Sequence, residues 1–146
     1  MRPIAPPPSF PAVRDDILQQ HARLRRRLDN LDANAQGVVR SDLTGASELT
    51  RMLDGLLHDL AAHMAFEERS LARAPSLPGT WDPGDLERLE KEHERQREEL
   101  ARIERDALHP DDPLSLALAI RSFIADVRLD MSMEEDRLHR WSPPRG

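Results

Sequence analysis

Apolar residues recur at steps of three and four through most of the chain, the period of a helix that buries one face. Val13, Ile17, Leu24, Leu28 and Leu31 form one such stripe, and Leu49, Leu53, Leu56, Leu60 and Leu71 a second. Leu86, Leu89, Leu100 and Ile103 form a third; Leu116, Ile120, Phe123, Val127 and Leu138 a fourth. No segment carries a convincing strand pattern. Asp82-Pro83 and Asp112-Pro113 each offer a capping carboxylate followed by proline at the first helical position, where its missing N–H costs nothing. Gly37 and Gly45 bracket a polar stretch after the first stripe, and RAPSLPGTWDPG separates the second from the third. These signals predict helices over about 11–32, 45–72, 83–108 and 113–139. Short connections favour antiparallel neighbours, so the expected fold is all-α, an antiparallel up-down-up-down four-helix bundle over 11–139. A proline-rich segment, 1–10, precedes it and a tail, 140–146, follows.

Each stripe is interrupted by polar residues where apolar ones belong. His21 interrupts the first, His63 and Glu67 the second (in LLHDLAAHMAFEERSL), His93 with Gln96 or Arg97 the third, and Asp130 and Glu134 the fourth. His21 and His93 fall about ten residues into the odd helices, and His63 and Asp130 about nine before the ends of the even ones, which in an antiparallel bundle is one level. At 1.5 Å per residue that level lies roughly 13–15 Å from one end, with Glu67 and Glu134 a turn closer to it.

Burying six such groups uncompensated would consume much of the ~5–15 kcal/mol by which a domain is stable. A multivalent cation resolves the cost by accepting imidazole lone pairs and balancing carboxylate charge. The competing reading is a metal-free network of His–Glu pairs. With no cysteine in the chain, a metal site must be built from His, Asp and Glu. His58 lies about 200° around the helix from Leu56 and Leu60, on the outer face, and His109 and His139 fall at a loop and a helix end, so these three are expected at the surface.

The 146 residues suit one domain. A net charge of −6 with mixed acidic and basic residues argues against nucleic-acid binding, and the Arg25-Arg26-Arg27 run reads as a solvated helix face. No stretch is long and apolar enough to span a bilayer, MRPIAPPPSFP does not resemble a signal peptide, and the default expectation is a cytoplasmic protein with no membrane partner. No Ser/His/Asp arrangement, phosphate loop or nucleotide fingerprint is present, so catalytic turnover is not assigned.

The order His21, then HMAFE with His63 and Glu67, then His93 in LEKEHERQREEL, then a residue-x-x-x-Glu pair in DMSMEE, resembles the hemerythrin-like HHE cation-binding domains over about residues 11–139. The resemblance implies a four-helix bundle around a non-heme di-iron centre, with His21, His63 and His93 as terminal ligands and Glu67 and Glu134 as bridging carboxylates. Arg97 stands where oxygen-carrying hemerythrins place a second histidine, which argues against reversible oxygen carriage. The arrangement is closer to the bacterial branch that includes iron–sulfur repair proteins and regulators responding to oxygen, nitric oxide or iron. Asp130 stands where that branch usually has histidine; its place on the inward stripe marks it as a ligand, direct or through water.

The resulting expectation is a protein binding two iron ions, with manganese as the alternative, through His21, His63, Glu67, His93, Asp130 and Glu134. Its role would be to bind or sense oxygen, nitric oxide or peroxide, with a protein partner reading its state. The alternative is a metal-depleted bundle acting as a protein–protein interaction module. Phe10, Trp81 and Trp141 are expected to cover the metal end.

Overall fold

A computed structural model of the chain describes residues 10–40, 46–72, 83–108 and 112–139. They form four helices: α1 (Phe10–Val39), α2 (Ala46–Leu71), α3 (Pro83–Leu108) and α4 (Pro113–His139), and no strand occurs among the described residues. α3 and α4 begin at the prolines that the sequence marks. At α4 the Asp112 carboxylate accepts hydrogen bonds from the Leu114 and Ser115 amides at 3.1 and 3.3 Å and from the Ser115 hydroxyl at 2.6 Å, satisfying N–H groups that have no partner within the helix.

α1 departs from expectation by running through Gly37 to Val39 instead of ending near residue 32. The reason is burial: Ala35 and Val38 continue the stripe of Leu28 and Leu31 into the core. That gain outweighs the roughly 1 kcal/mol by which glycine disfavours a helix interior. The polar residues between them simply occupy the helix's other faces.

Each helix packs against two neighbours, α1 against α2 and α4, and α3 against α2 and α4. Directions follow from side-chain pairings. Along α1 and α4, Arg25 meets Glu135 while Asp32 meets Arg121; along α1 and α2, Gln20 meets His63 while Asn34 meets Met52. Along α3 and α4, Glu92 meets Arg137 while Gln96 meets Asp130. Rising numbers on one helix pair with falling numbers on the next, so neighbours are antiparallel, as short connections require. The arginine run is only partly a solvated face: Arg26 and Arg27 are exposed, yet Arg25 reaches Glu135 on α4 and Arg27 reaches Asp59 on α2.

The core has two apolar parts. The larger runs from Leu24 to Val38 on α1 and includes Leu53, Leu60, Met64, Leu100, Phe123, Val127 and Met131; the smaller consists of Val13, Ile17, Leu71, Leu89 and Leu138, with Phe66 and Leu86 against it. Between them lies a buried polar layer. No helix among the described residues is long and apolar enough to cross a membrane. Trp81 and Trp141 lie outside the described residues, as does the side chain of Phe10, and with them the expected cover of the metal end.

Candidate metal centre

All six residues expected at the centre are buried in the layer: His21, His63, Glu67, His93, Asp130 and Glu134. Along the helices the layer falls between the two core parts. His21, for example, lies between Ile17 and Leu24, and Glu134 between Met131 and Leu138. His58 and His139 are exposed, as expected, while His109 lies outside the described residues.

Four of the six converge. His21, His63, Glu67 and Glu134 each present one ligand-capable atom, and these atoms lie within 4.8 Å of one another. His21 Nε2 is 3.5 Å from Glu67 Oε1 and 3.4 Å from Glu134 Oε1, while His63 Nε2 lies against Glu67 Oε1. The two imidazole rings meet edge to face, with centroids 4.8 Å apart.

A second ring of side chains holds the imidazoles from behind. Nδ1 of His21 donates to Glu135 Oε2 at 2.9 Å, Nδ1 of His63 to Gln20 Oε1 at 2.6 Å, and Nδ1 of His93 to Glu68 Oε1 at 3.1 Å. An acceptor on Nδ1 places the proton there and leaves the Nε2 lone pair free in the neutral ring, which is how metal-ligating histidines are oriented. The acceptors are themselves held: Arg25 binds Glu135, and Arg97 binds Glu68 at 3.1 Å. Arg97 is thus exposed and stands behind His93, while the inward position beside it belongs to Gln96.

Asp130 and His93 lie apart from the four. Asp130 accepts hydrogen bonds from Gln96 Nε2 at 2.8 Å and from Arg95 Nη2 at 3.1 Å, so both its neighbours come from α3. It lines, with His93, Glu67 and Glu134, a cavity of about 10 Å³, enough for a single water-sized body.

The inward atoms are the ones left over. His21 Nε2, His63 Nε2, Glu67 Oε2 and Glu134 Oε1 are buried and have no hydrogen-bond partner among the described residues. Such atoms ordinarily cost about 1–3 kcal/mol each. Two imidazole nitrogens and two carboxylates facing one point form a mixed N/O donor set suited to iron, manganese or zinc, so the residues fit a divalent cation. Without a cation, protons must do its work. Burial disfavours charge on His21, but the attraction of the nearby Glu134 and Glu67 carboxylates outweighs this and raises its pKa to about 10. Burial, reinforced by the charge on His21, lowers that of His63 to about 3. Burial and the neighbouring Glu134 carboxylate push Glu67 well up; for Glu134 the pull of burial in the same direction is overcome by Glu67 and His21, holding it at about 2. Without a metal these shifts favour a cation on His21 and an anion on Glu134.

Four supporting residues, Gln20, Glu68, Gln96 and Glu135, are absent from the sequence-derived set, except that Gln96 appears there as one of two choices. A signal for two of them exists in the Glu-Glu doublets at 67–68 and 134–135: in each, the first glutamate faces inward and the second reaches the histidine of a neighbouring helix.

The family model of the hemerythrin HHE cation binding domain matches residues 12–142. No curated protein and no solved structure matches the chain. A match over nearly the whole length, on a four-helix bundle with a buried His/Glu cluster, shows that the chain belongs to the hemerythrin HHE cation-binding family.

Proposed function

We propose that this chain is a non-heme iron protein, holding two ions in the polar layer, that binds or senses oxygen, nitric oxide or peroxide. The observation that supports the metal reading is the set of four buried, inward-facing ligand atoms without hydrogen-bond partners, backed by imidazoles whose Nδ1 atoms are already engaged. His21, His63, Glu67 and Glu134 would hold the first ion. His93 and Asp130, with a share of the carboxylates, would complete the second position. Iron, when bound, supplies one-electron redox chemistry and open coordination positions for a small ligand.

The residues of the chain have three tasks in this reading. Glu135, Gln20 and Glu68 fix the orientation of the imidazoles, and Arg25 and Arg97 fix two of those acceptors in turn. The apolar residues on either side of the layer exclude bulk water, so that electrostatic differences between oxidation states are felt strongly. Asp130 would be the weaker ligand because Gln96 and Arg95 already take up part of its lone-pair capacity, which would give the two positions unequal affinity.

Iron per chain after anaerobic expression, together with the near-ultraviolet absorption of bridged ferric iron, tests the proposal. Close to two iron ions per chain with such a band is the expected result. Purified protein that takes up neither iron nor manganese would refute it and leave the interaction-module reading.

A further inference from the structure

On the outer side of α1 and α2 a cleft of about 390 Å³ opens to solvent, behind the histidine that the cluster presents inward. Its size is near the lower end for small-molecule sites. The exposed Arg23 and Arg27 stand one helical turn apart on α1 and both line it, which brings two guanidinium groups to one mouth. Leu24 and Ala62 contribute apolar wall, and buried His63 lines the cleft together with its hydrogen-bond partner Gln20.

The two arginines are not equivalent. Arg27 is fixed: its Nε is 2.7 Å from Asp59 Oδ2, and its Nη1 lies over Gly55, where an added Cβ would be 3.4 Å away. Arg23 has no ion pair among the described residues. With Asp59 balancing one of the two cations, the lining carries one positive charge in excess, in a protein whose net charge is −6. A planar guanidinium fork matches the two oxygens of a carboxylate, and the apolar wall suits a short hydrocarbon body.

We propose that the cleft between α1 and α2 binds a small monocarboxylate, its carboxylate held by Arg23 and Arg27 and its body against Leu24 and Ala62. A ligand there touches Gln20, whose amide oxygen orients His63. The cleft thereby gives a soluble metabolite direct contact with the residue that positions one imidazole of the centre. The site itself uses none of the metal-facing atoms and does not depend on the centre being loaded.

Calorimetric titration of the full chain with butyrate at constant ionic strength tests the assignment, with butanamide as the uncharged probe. Saturable butyrate binding is expected, with no binding of butanamide. Arg23→Gln should weaken it about tenfold, as loss of a charge-assisted hydrogen bond does, while Arg102→Gln, which removes the same charge from an exposed position on α3, should leave it unchanged. Binding should survive complete removal of metal by chelation. The proposal is overturned by non-saturating heats, by equal weakening in Arg23→Gln and Arg102→Gln, by tighter binding of inorganic phosphate than of butyrate, or by loss of binding on chelation, which would move the ligand to the metal centre.

Discussion

Stripping the metal should lower the melting temperature by about 10 °C or more, and the size of the effect can be worked from the buried layer. Four buried atoms, on His21, His63, Glu67 and Glu134, have no hydrogen-bond partner among the described residues. At about 1–3 kcal/mol each they represent about 4–12 kcal/mol. The lower end applies, because in the absence of a cation His21 and the glutamates attract one another over 3.4–3.5 Å and recover part of the cost. For 146 residues, an unfolding entropy of about 2.1 cal/mol/K per residue makes 1 kcal/mol worth about 3 °C. A loss of about 4 kcal/mol then corresponds to about 13 °C, a large share of a typical domain's stability. Scanning calorimetry on loaded and chelator-treated protein, with metal content verified by mass spectrometry on both samples, makes the measurement. His58→Ala serves as the control, since the exposed His58 should alter neither midpoint. Midpoints within about 3 °C of each other in samples shown to differ fully in metal would refute the idea that the layer is compensated by a cation.

Four further outcomes are expected from the structure. Metal counts should fall by about one ion in Asp130→Ala, whose carboxylate would serve the proposed second position, and further in His63→Ala, which lies in the convergent cluster; full loading of Asp130→Ala would remove Asp130 from the ligand set. Stability of the chelated protein should decline as pH rises from neutral through about 10, because the folded-state pKa of His21 is raised from 6.5 to about 10, so its contribution is complete below 6.5 and lost above 10. The loaded protein should instead release metal as pH falls, since protons compete for the same nitrogens, and equilibrium unfolding at several pH values would separate the two slopes. Gly37→Ala should stabilise the chain by about 0.5–1 kcal/mol, read from denaturant midpoints, because an alanine Cβ there meets nothing within 4 Å and α1 is already helical at that point.

What was legible in the sequence and what was not divide along a physical line. Helix periodicity records which residues face inward, so the four stripes, the antiparallel bundle and six of the seven buried polar residues among those described could be read from spacing alone. The end of α1 could not, because Gly37 weighs against a helix locally while the burial of Ala35 and Val38 that overrides it is tertiary. Rise per residue puts His93 and Asp130 at the height of His21 and His63, which holds for the layer but not for the ligand atoms, since reach and hydrogen bonding decide which atoms converge. Asp130 is drawn toward α3 by Gln96 and Arg95, an outcome that depends on side-chain direction and that no repeat of three and four encodes. Gln96 and Arg97 illustrate the same limit. They sit 100° apart on α3, and the sequence leaves either one inward; packing buries the amide against Asp130 and sends the guanidinium out to Glu68, where it braces the acceptor behind His93. A substitution at 97 would therefore act on the centre through Glu68 and the orientation of the His93 ring, and not by adding or removing a ligand.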